Sequence, residues 1–185
     1  MTYTYVHNAP FINKAFMVTG AFGEWRGNTQ HKGLDLAPVG FSGSLYAIDD
    51  FDMIYKGYSA SYGYYAIFRN SSNMMYLYAH MDVAVSGNVG DHYSHNQYIA
   101  EAGSTGTGVT GVHVHLQMQQ GTSWVYSDDI NDFVNPCDFL TDIANVVNST
   151  QYYYDGIPVP PPTPTDEEPH KFPWFIFDAD PDIIG

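Results

Sequence analysis

Apolar and polar residues alternate in short runs along this chain, and turns rich in Gly, Ser, Asn and Asp separate the runs. A strand sends successive side chains to opposite faces, so this pattern predicts strands at about 44–48, 53–58, 64–68, 74–80, 97–101, 113–119 and 123–126. Their spacing is that of an antiparallel all-β domain. One helix is expected over about 136–147, entered by Asn135-Pro136, with Phe139, Leu140, Ile143 and Val147 recurring at helical spacing as a core-facing stripe.

Two of these strands carry histidines. In Gly111 to Met118 the alternation puts His113, His115 and Gln117 on one face and Val114, Leu116 and Met118 on the other. The apolar face can bury, leaving two imidazoles close enough for one to bind a metal and the other to touch its water. Met74 to His80 alternates likewise, with Tyr76, Tyr78 and His80 on one face and Met75, Leu77 and Ala79 on the other. His31 and Asp35 pose a different problem. On a straight strand they would lie roughly 13 Å apart, whereas metal ligands each sit about 2 Å from the ion. The chain must bend between them, and Gly33 is placed to allow it. Gly27, Gly33, Pro38 and Gly40 argue against a helix there. Taken singly, each segment also has an ordinary reading: a pair of strand histidines, a loop His–Asp hydrogen bond, a strand-end histidine on a tyrosine hydroxyl.

Together, His31-Lys-Gly-Leu-Asp35, then Tyr78-Ala-His80, then the run from Gly103-Ser-Thr-Gly to His113-Val-His115 resemble the lysostaphin-type (LytM-like) zinc endopeptidases, which cut the peptide cross-links of bacterial peptidoglycan. The resemblance covers about residues 16–120. It implies an antiparallel β fold of the lysostaphin type, with a substrate groove floored by the His113/His115 strand and walled by loops. It also implies that His31, Asp35 and His115 hold one zinc ion, while His80 and His113 stand beside its open position as the catalytic pair. Zinc in such a site polarises the scissile carbonyl and activates water. His113 would act as general base, and His80 would donate to the oxyanion or share the proton transfer. All five positions are filled, which favours an active enzyme. The chain departs from the family pattern at Val112, where Pro is usual, at Gln117, where Glu is usual, and at Asp50-Phe51-Asp52, where an Asp-Gly turn is common. Gln117 cannot carry a negative charge behind a ligand, so metal affinity would be tuned differently.

Composition narrows the setting. The chain has 185 residues, 6 basic against 20 acidic, and a net charge of −14. That balance disfavours nucleic acid, whose phosphates need Lys and Arg. The glycine-rich run 103–111 lacks the Lys-Ser/Thr of a phosphate loop. Cys137 stands alone, which excludes an intrachain disulfide and suits a small buried apolar residue. No stretch is long and apolar enough to span a membrane, and the first residues lack the features of a signal peptide. The expected organisation is a zinc endopeptidase domain at 1–154, a Pro-rich linker at 155–165 and an acidic, aromatic tail at 166–185. Phe172-Pro-Trp-Phe-Ile-Phe177 in that tail should dock on the domain, on a partner or at the groove. Sixteen tyrosines and few lysines look like a phage structural protein. The expected function is therefore hydrolysis of peptidoglycan cross-links from a phage tail tip, with other tail proteins as partners. The alternative is a non-catalytic tail or wall-binding module with a structural metal, closed by four protein ligands.

Overall fold

The computed structural model describes residues 4–5, 9–11, 14–140 and 151–154. In chain order its strands are β1 (Thr4–Tyr5), β2 (Lys14–Gly20), β3 (Trp25–Arg26), β4 (Thr29–Gln30), β5 (Gly33–Pro38), β6 (Ser44–Tyr46), β7 (Phe51–Ser59), β8 (Gly63–Arg69), β9 (Met74–Met81), β10 (His92–Tyr93), β11 (Tyr98–Glu101), β12 (Val114–Gln120) and β13 (Gln151–Tyr154). One nine-stranded sheet runs in the order β1-β13-β2-β5-β12-β9-β8-β7-β10. Its neighbours are antiparallel except β1 beside β13. Strands β6 and β11 form a second, two-stranded sheet, and β3 with β4 a small hairpin.

Alternation gives the large sheet two unlike faces. Leu34, Leu36, Phe51, Ala66, Phe68, Tyr76, Tyr78, Val114, Leu116 and Met118 enter the main core with Leu45 and Ile48 from the chain outside this sheet. Each Leu or Phe buried completely contributes about 1.5–3 kcal/mol. The two buried tyrosines find acceptors for their hydroxyls, Asp49 Oδ2 for Tyr76 at 2.5 Å and the Tyr46 carbonyl for Tyr78 at 3.2 Å. On the opposite face Tyr65, Ile67, Met75, Leu77 and Ala79 make a smaller apolar cluster. His115 is paired with Ala79 and Gln117 with Leu77, so the polar side of β12 lies on this second face.

Six of the seven predicted strands correspond to β6, β7, β8, β9, β11 and β12. The seventh, 123–126, is a loop. Its backbone finds a side chain in place of a ladder: Gln119 accepts from the Val125 amide at 2.8 Å and donates to the Val125 carbonyl at 3.2 Å. Strand β5 escaped the pattern because Gly33 to Leu36 are buried on both faces and show no alternation. The predicted helix is one turn, Pro136–Phe139, with the Asn135 side chain capping the Cys137 amide at 3.0 Å. Residues 141–147 of that prediction, the linker 155–165 and the tail 166–185 lie outside the described residues. Cys137 is buried, and burial with Asp138 beside it pushes its thiol up to about 12, which makes it an inert packing residue. Among the described residues no helix is long and apolar enough to cross a membrane.

Candidate active site

Register brings the first two residues together. Strands β5 and β12 pair Asp35 with His115 and Gly33 with Gln117, and directly opposed residues share a face. His115 Nδ1 therefore lies 2.9 Å from Asp35 Oδ1. His31 reaches the same point from outside the ladder, where its backbone amide and carbonyl are bound by the Glu24 carbonyl at 2.8 Å and the Gly23 amide at 2.7 Å. Its Nε2 stands 3.2 Å from Asp35 Oδ1 and 3.0 Å from His115 Nδ1. The bend required by the His31–Asp35 spacing is present, but Gly33 serves it by space. It does not adopt a left-handed conformation, and a Cβ there would sit 2.6 Å from His115 Cε1 and 2.6 Å from the Leu116 carbonyl oxygen.

The three facing atoms make a triangle with sides of 2.9, 3.0 and 3.2 Å. Ligands of a tetrahedral zinc lie about 3.3 Å apart. The proton inventory points the same way. His31 Nδ1 donates to the Ala21 carbonyl at 2.9 Å and His115 Nε2 to Gln117 Oε1 at 3.0 Å. Each ring then turns a lone pair towards the Asp35 carboxylate. Three acceptors without a donor repel one another unless they share a cation, and an N, N, O set suits zinc.

His80 arrives by a distortion. Between the pairs Tyr64–Met81 and Ala66–Tyr78, Ala79 and His80 of β9 oppose Tyr65 alone, a β-bulge, and His80 has φ +61°. Undisturbed alternation would have kept His80 with Tyr76 and Tyr78 on the core side, as the sequence pattern suggests. That expectation is overturned: the bulge turns His80 to the opposite face, and Met81 takes its place in the core. The His80 ring lies 4.8 Å from that of His113 and 5.9 Å from that of His115. Its amide donates to the Tyr62 carbonyl at 2.8 Å and its Nδ1 to the Thr105 carbonyl at 2.9 Å. His113 precedes β12 and is bridged to Gly103. Its Nδ1 donates to the Gly111 carbonyl at 2.9 Å, leaving Nε2 3.9 Å from Asp35 Oδ1, beyond the triangle.

Burial pushes the His80 imidazolium down to about 4, with His115 and His113 acting in the same direction, so His80 is neutral at pH 7. Unfolded, it titrates near its ordinary value of about 6.5. Between those values the unfolded chain binds the extra proton, so the folded state loses stability as pH falls from about 6.5 to 4. Thermal melts of zinc-free protein should show this decline. His80→Asn, which keeps a residue tolerant of positive φ, should flatten it, and an unchanged slope would count against the burial argument.

Behind the triangle stand residues that no motif flagged. Arg26 Nη2 donates to Asp35 Oδ2 at 2.7 Å, which leaves Oδ1 to face the histidines. Glu24 Oε1 holds Arg26 at 2.6 and 2.8 Å, and Glu24 Oε2 accepts from the Ala21 amide at 3.1 Å. Ala21 in turn carries His31 on its carbonyl, so one chain of hydrogen bonds joins His31 to Asp35 through the turn that leads into the β3–β4 hairpin. Gly20 makes room for it: a Cβ there would lie 2.1 Å from Arg26 Nη2. The available signal was the presence of one of only six cationic side chains just before His31. On the other flank, Tyr62 donates to Gln117 Oε1 at 3.1 Å, and burial raises its pKa, which keeps it a donor. Gln117 thus orients His115 without a charge. Arg26→Ala should weaken zinc binding about 10–100-fold in a chelator competition, with an unchanged circular dichroism spectrum; unaltered affinity would remove Arg26 from this role.

A cavity of about 460 Å³ opens over the site, bordered by Thr19, Arg26, Ser61, His80 and residues 107–113. A comparison with curated protein sequences finds no match. Among solved structures, the catalytic domain of a point mutant of the prophage-encoded M23 protein EnpA from Enterococcus faecalis is 24% identical, with a TM-score of 0.53 over 65% of this chain and 88% of that one. The catalytic domain of the antimicrobial peptidase lysostaphin from Staphylococcus simulans is 22% identical, with a TM-score of 0.56 over 68% and 92%. A zinc-containing peptidase from Vibrio cholerae is 21% identical, with a TM-score of 0.52 over 69% and 39%. These likenesses identify the fold as lysostaphin-like. The sequence profile of Peptidase family M23 matches residues 29–127, more than half of the chain, and that interval holds all three corners of the triangle and both accompanying histidines; the chain belongs to this family and is a metallo-endopeptidase.

Proposed function

We propose that the protein hydrolyses the peptide cross-links of bacterial peptidoglycan, with one zinc ion held by His31, Asp35 and His115 and with His113 and His80 handling protons. The observation that carries the reading is the triangle of three acceptors with no donor, flanked by two imidazoles that stay outside it. Bound there, zinc supplies a Lewis acid for the scissile carbonyl and for the attacking water. The remaining work falls to the chain. His113 and His80 each commit Nδ1–H to a backbone carbonyl, so the bare Nε2 of either can accept a proton from water. In our assignment His113, the more open to the cavity, takes that proton and returns it to the leaving amine. His80 becomes a donor to the oxyanion only after gaining a proton itself.

The alternative of a wall-binding module with a structural metal requires a fourth side chain on the ion. The 3.9 Å separation of His113 Nε2 from Asp35 Oδ1 favours the catalytic reading. Carriage on a phage tail, with other tail proteins as partners and the cell wall as the place of action, is the finer part of the proposal. Its support is the tyrosine-rich, lysine-poor composition and the likeness to a prophage-encoded M23 protein. The test is incubation of zinc-loaded protein with purified peptidoglycan, followed by mass spectrometry of the fragments. New amino termini within the cross-links are expected, and an intact wall would reject the reading.

A further inference from the structure

A second cavity, of about 630 Å³, adjoins the site along the same face of the sheet. Its floor is Tyr65 and Ile67 of β8, and its walls are Tyr55, Tyr62, Trp124 and Tyr126. The rings form a connected set, with centroids 5.4 Å apart for Tyr55–Tyr65 and Tyr62–Tyr65 and 6.5 Å for Tyr62–Tyr126. Ser61 borders both cavities, and the Tyr62 ring stands 5.9 Å from that of His115, so the trough continues directly from the site.

We propose that this trough binds an uncharged saccharide, the N-acetylated glycan strand that carries the scissile peptide; the proposal rests on the peptidoglycan reading above. Three observations select that occupant. First, among the described residues no Asp, Glu, Lys, Arg or His lines the trough, so the carboxylates and amines of a stem peptide would lose hydration there without gaining a counter-charge. Second, the lining pairs broad ring faces with polar tips. Tyr55 and Tyr126 are 45% and 62% exposed, the Tyr65 and Tyr126 hydroxyls meet at 3.0 Å, and the Trp124 indole N–H, buried behind its ring, has no partner within the described residues. Pyranose rings present the complement, with C–H faces that lie on aromatic rings and hydroxyl and acetamido groups that exchange hydrogen bonds. Third, the neighbouring cavity over the triangle, bordered by residues 107–113, already gives the peptide a place next to the site.

The wall is also held in place before any ligand arrives. Gln119 binds Val125 at both backbone groups and the Asp132 carbonyl at 3.3 Å, Arg69 binds the Thr122 carbonyl at 2.6 Å, and Lys32 binds the Ser127 carbonyl at 2.5 Å. Little ordering is left for binding to supply.

The experiment compares two cross-linked substrates, one stripped of sugar and one still bearing its disaccharides, with wild-type protein, Tyr55→Ala and Tyr126→Ala. Both side chains are exposed enough for truncation to leave the fold intact. Wild type should show about a tenfold higher kcat/KM on the glycosylated substrate. Each variant should lose most of that advantage while its rate on the bare peptide stays unchanged. Equal wild-type rates on both substrates, or variants slowed equally on both, would overturn the proposal. Direct titration with a tetramer of N-acetylglucosamine, followed by NMR, separates this idea from the peptidase reading. Binding that disappears in Tyr55→Ala supports the saccharide site even if neither peptide is cut, and absence of binding overturns it even if both are.

Discussion

His115→Ala should lose zinc and turnover together. His115 stands at the centre of the arrangement: its Nδ1 touches both other corners of the triangle, and its Nε2 is held by Gln117. Without it, His31 and Asp35 face an ion with two ligands, and Gln117 and Tyr62 no longer have a ring to align. Metal content should fall from about one zinc per chain to a small fraction of that, and kcat/KM by on the order of a thousandfold or more. The fold should survive, because Leu116 and Val114 on the other face of β12 keep the core. Metal analysis and a circular dichroism spectrum on the same sample decide the point, and a variant that keeps its full complement of zinc would refute the proposed ligand set.

His113→Ala and His80→Ala should behave differently. Both rings lie outside the triangle and both are anchored to carbonyls of the glycine- and threonine-rich segment, so either variant should retain zinc. What they remove is a bare imidazole nitrogen beside the reacting water, a loss of roughly 10²–10⁴ in rate. His80→Ala carries a further cost, because alanine tolerates φ near +61° poorly. His80→Asn separates the two effects: it should recover stability without recovering rate. Zinc lost from His113→Ala as readily as from His115→Ala would mean that His113 is itself a ligand.

How much of this was legible follows the physics of alternation. Where one face is buried and the other is not, as in β12, period two gave both the strand and the face of each side chain. It failed at β5, buried on both sides, and at residues 123–126, where Trp124, Val125 and Tyr126 look like strand residues but the hydrogen-bonding partner is the Gln119 side chain. It failed again at His80, because a bulge shifts the phase by one residue and nothing in the letters around Ala79 announces it. The meeting of His31, Asp35 and His115 depends on register between distant strands, which the resemblance supplied and periodicity did not. Arg26 and Glu24 lay outside every motif and were visible only once the hairpin had folded back over Asp35.

Strand β12 also divides labour in a way that bears on re-engineering. His115, Gln117 and Gln119 follow one another on a single face: the first belongs to the triangle, the second aligns the first, and the third suspends residues 122–128 over the groove. Gln119 grips that segment by backbone groups alone, the amide and carbonyl of Val125, and reaches past it to the carbonyl of Asp132. The clasp is therefore indifferent to which side chains it carries. A graft that presents one amide and one carbonyl at the height of Val125 can hang from the same hook, so the wall can be retargeted to another polymer while the hydrolytic centre is left untouched.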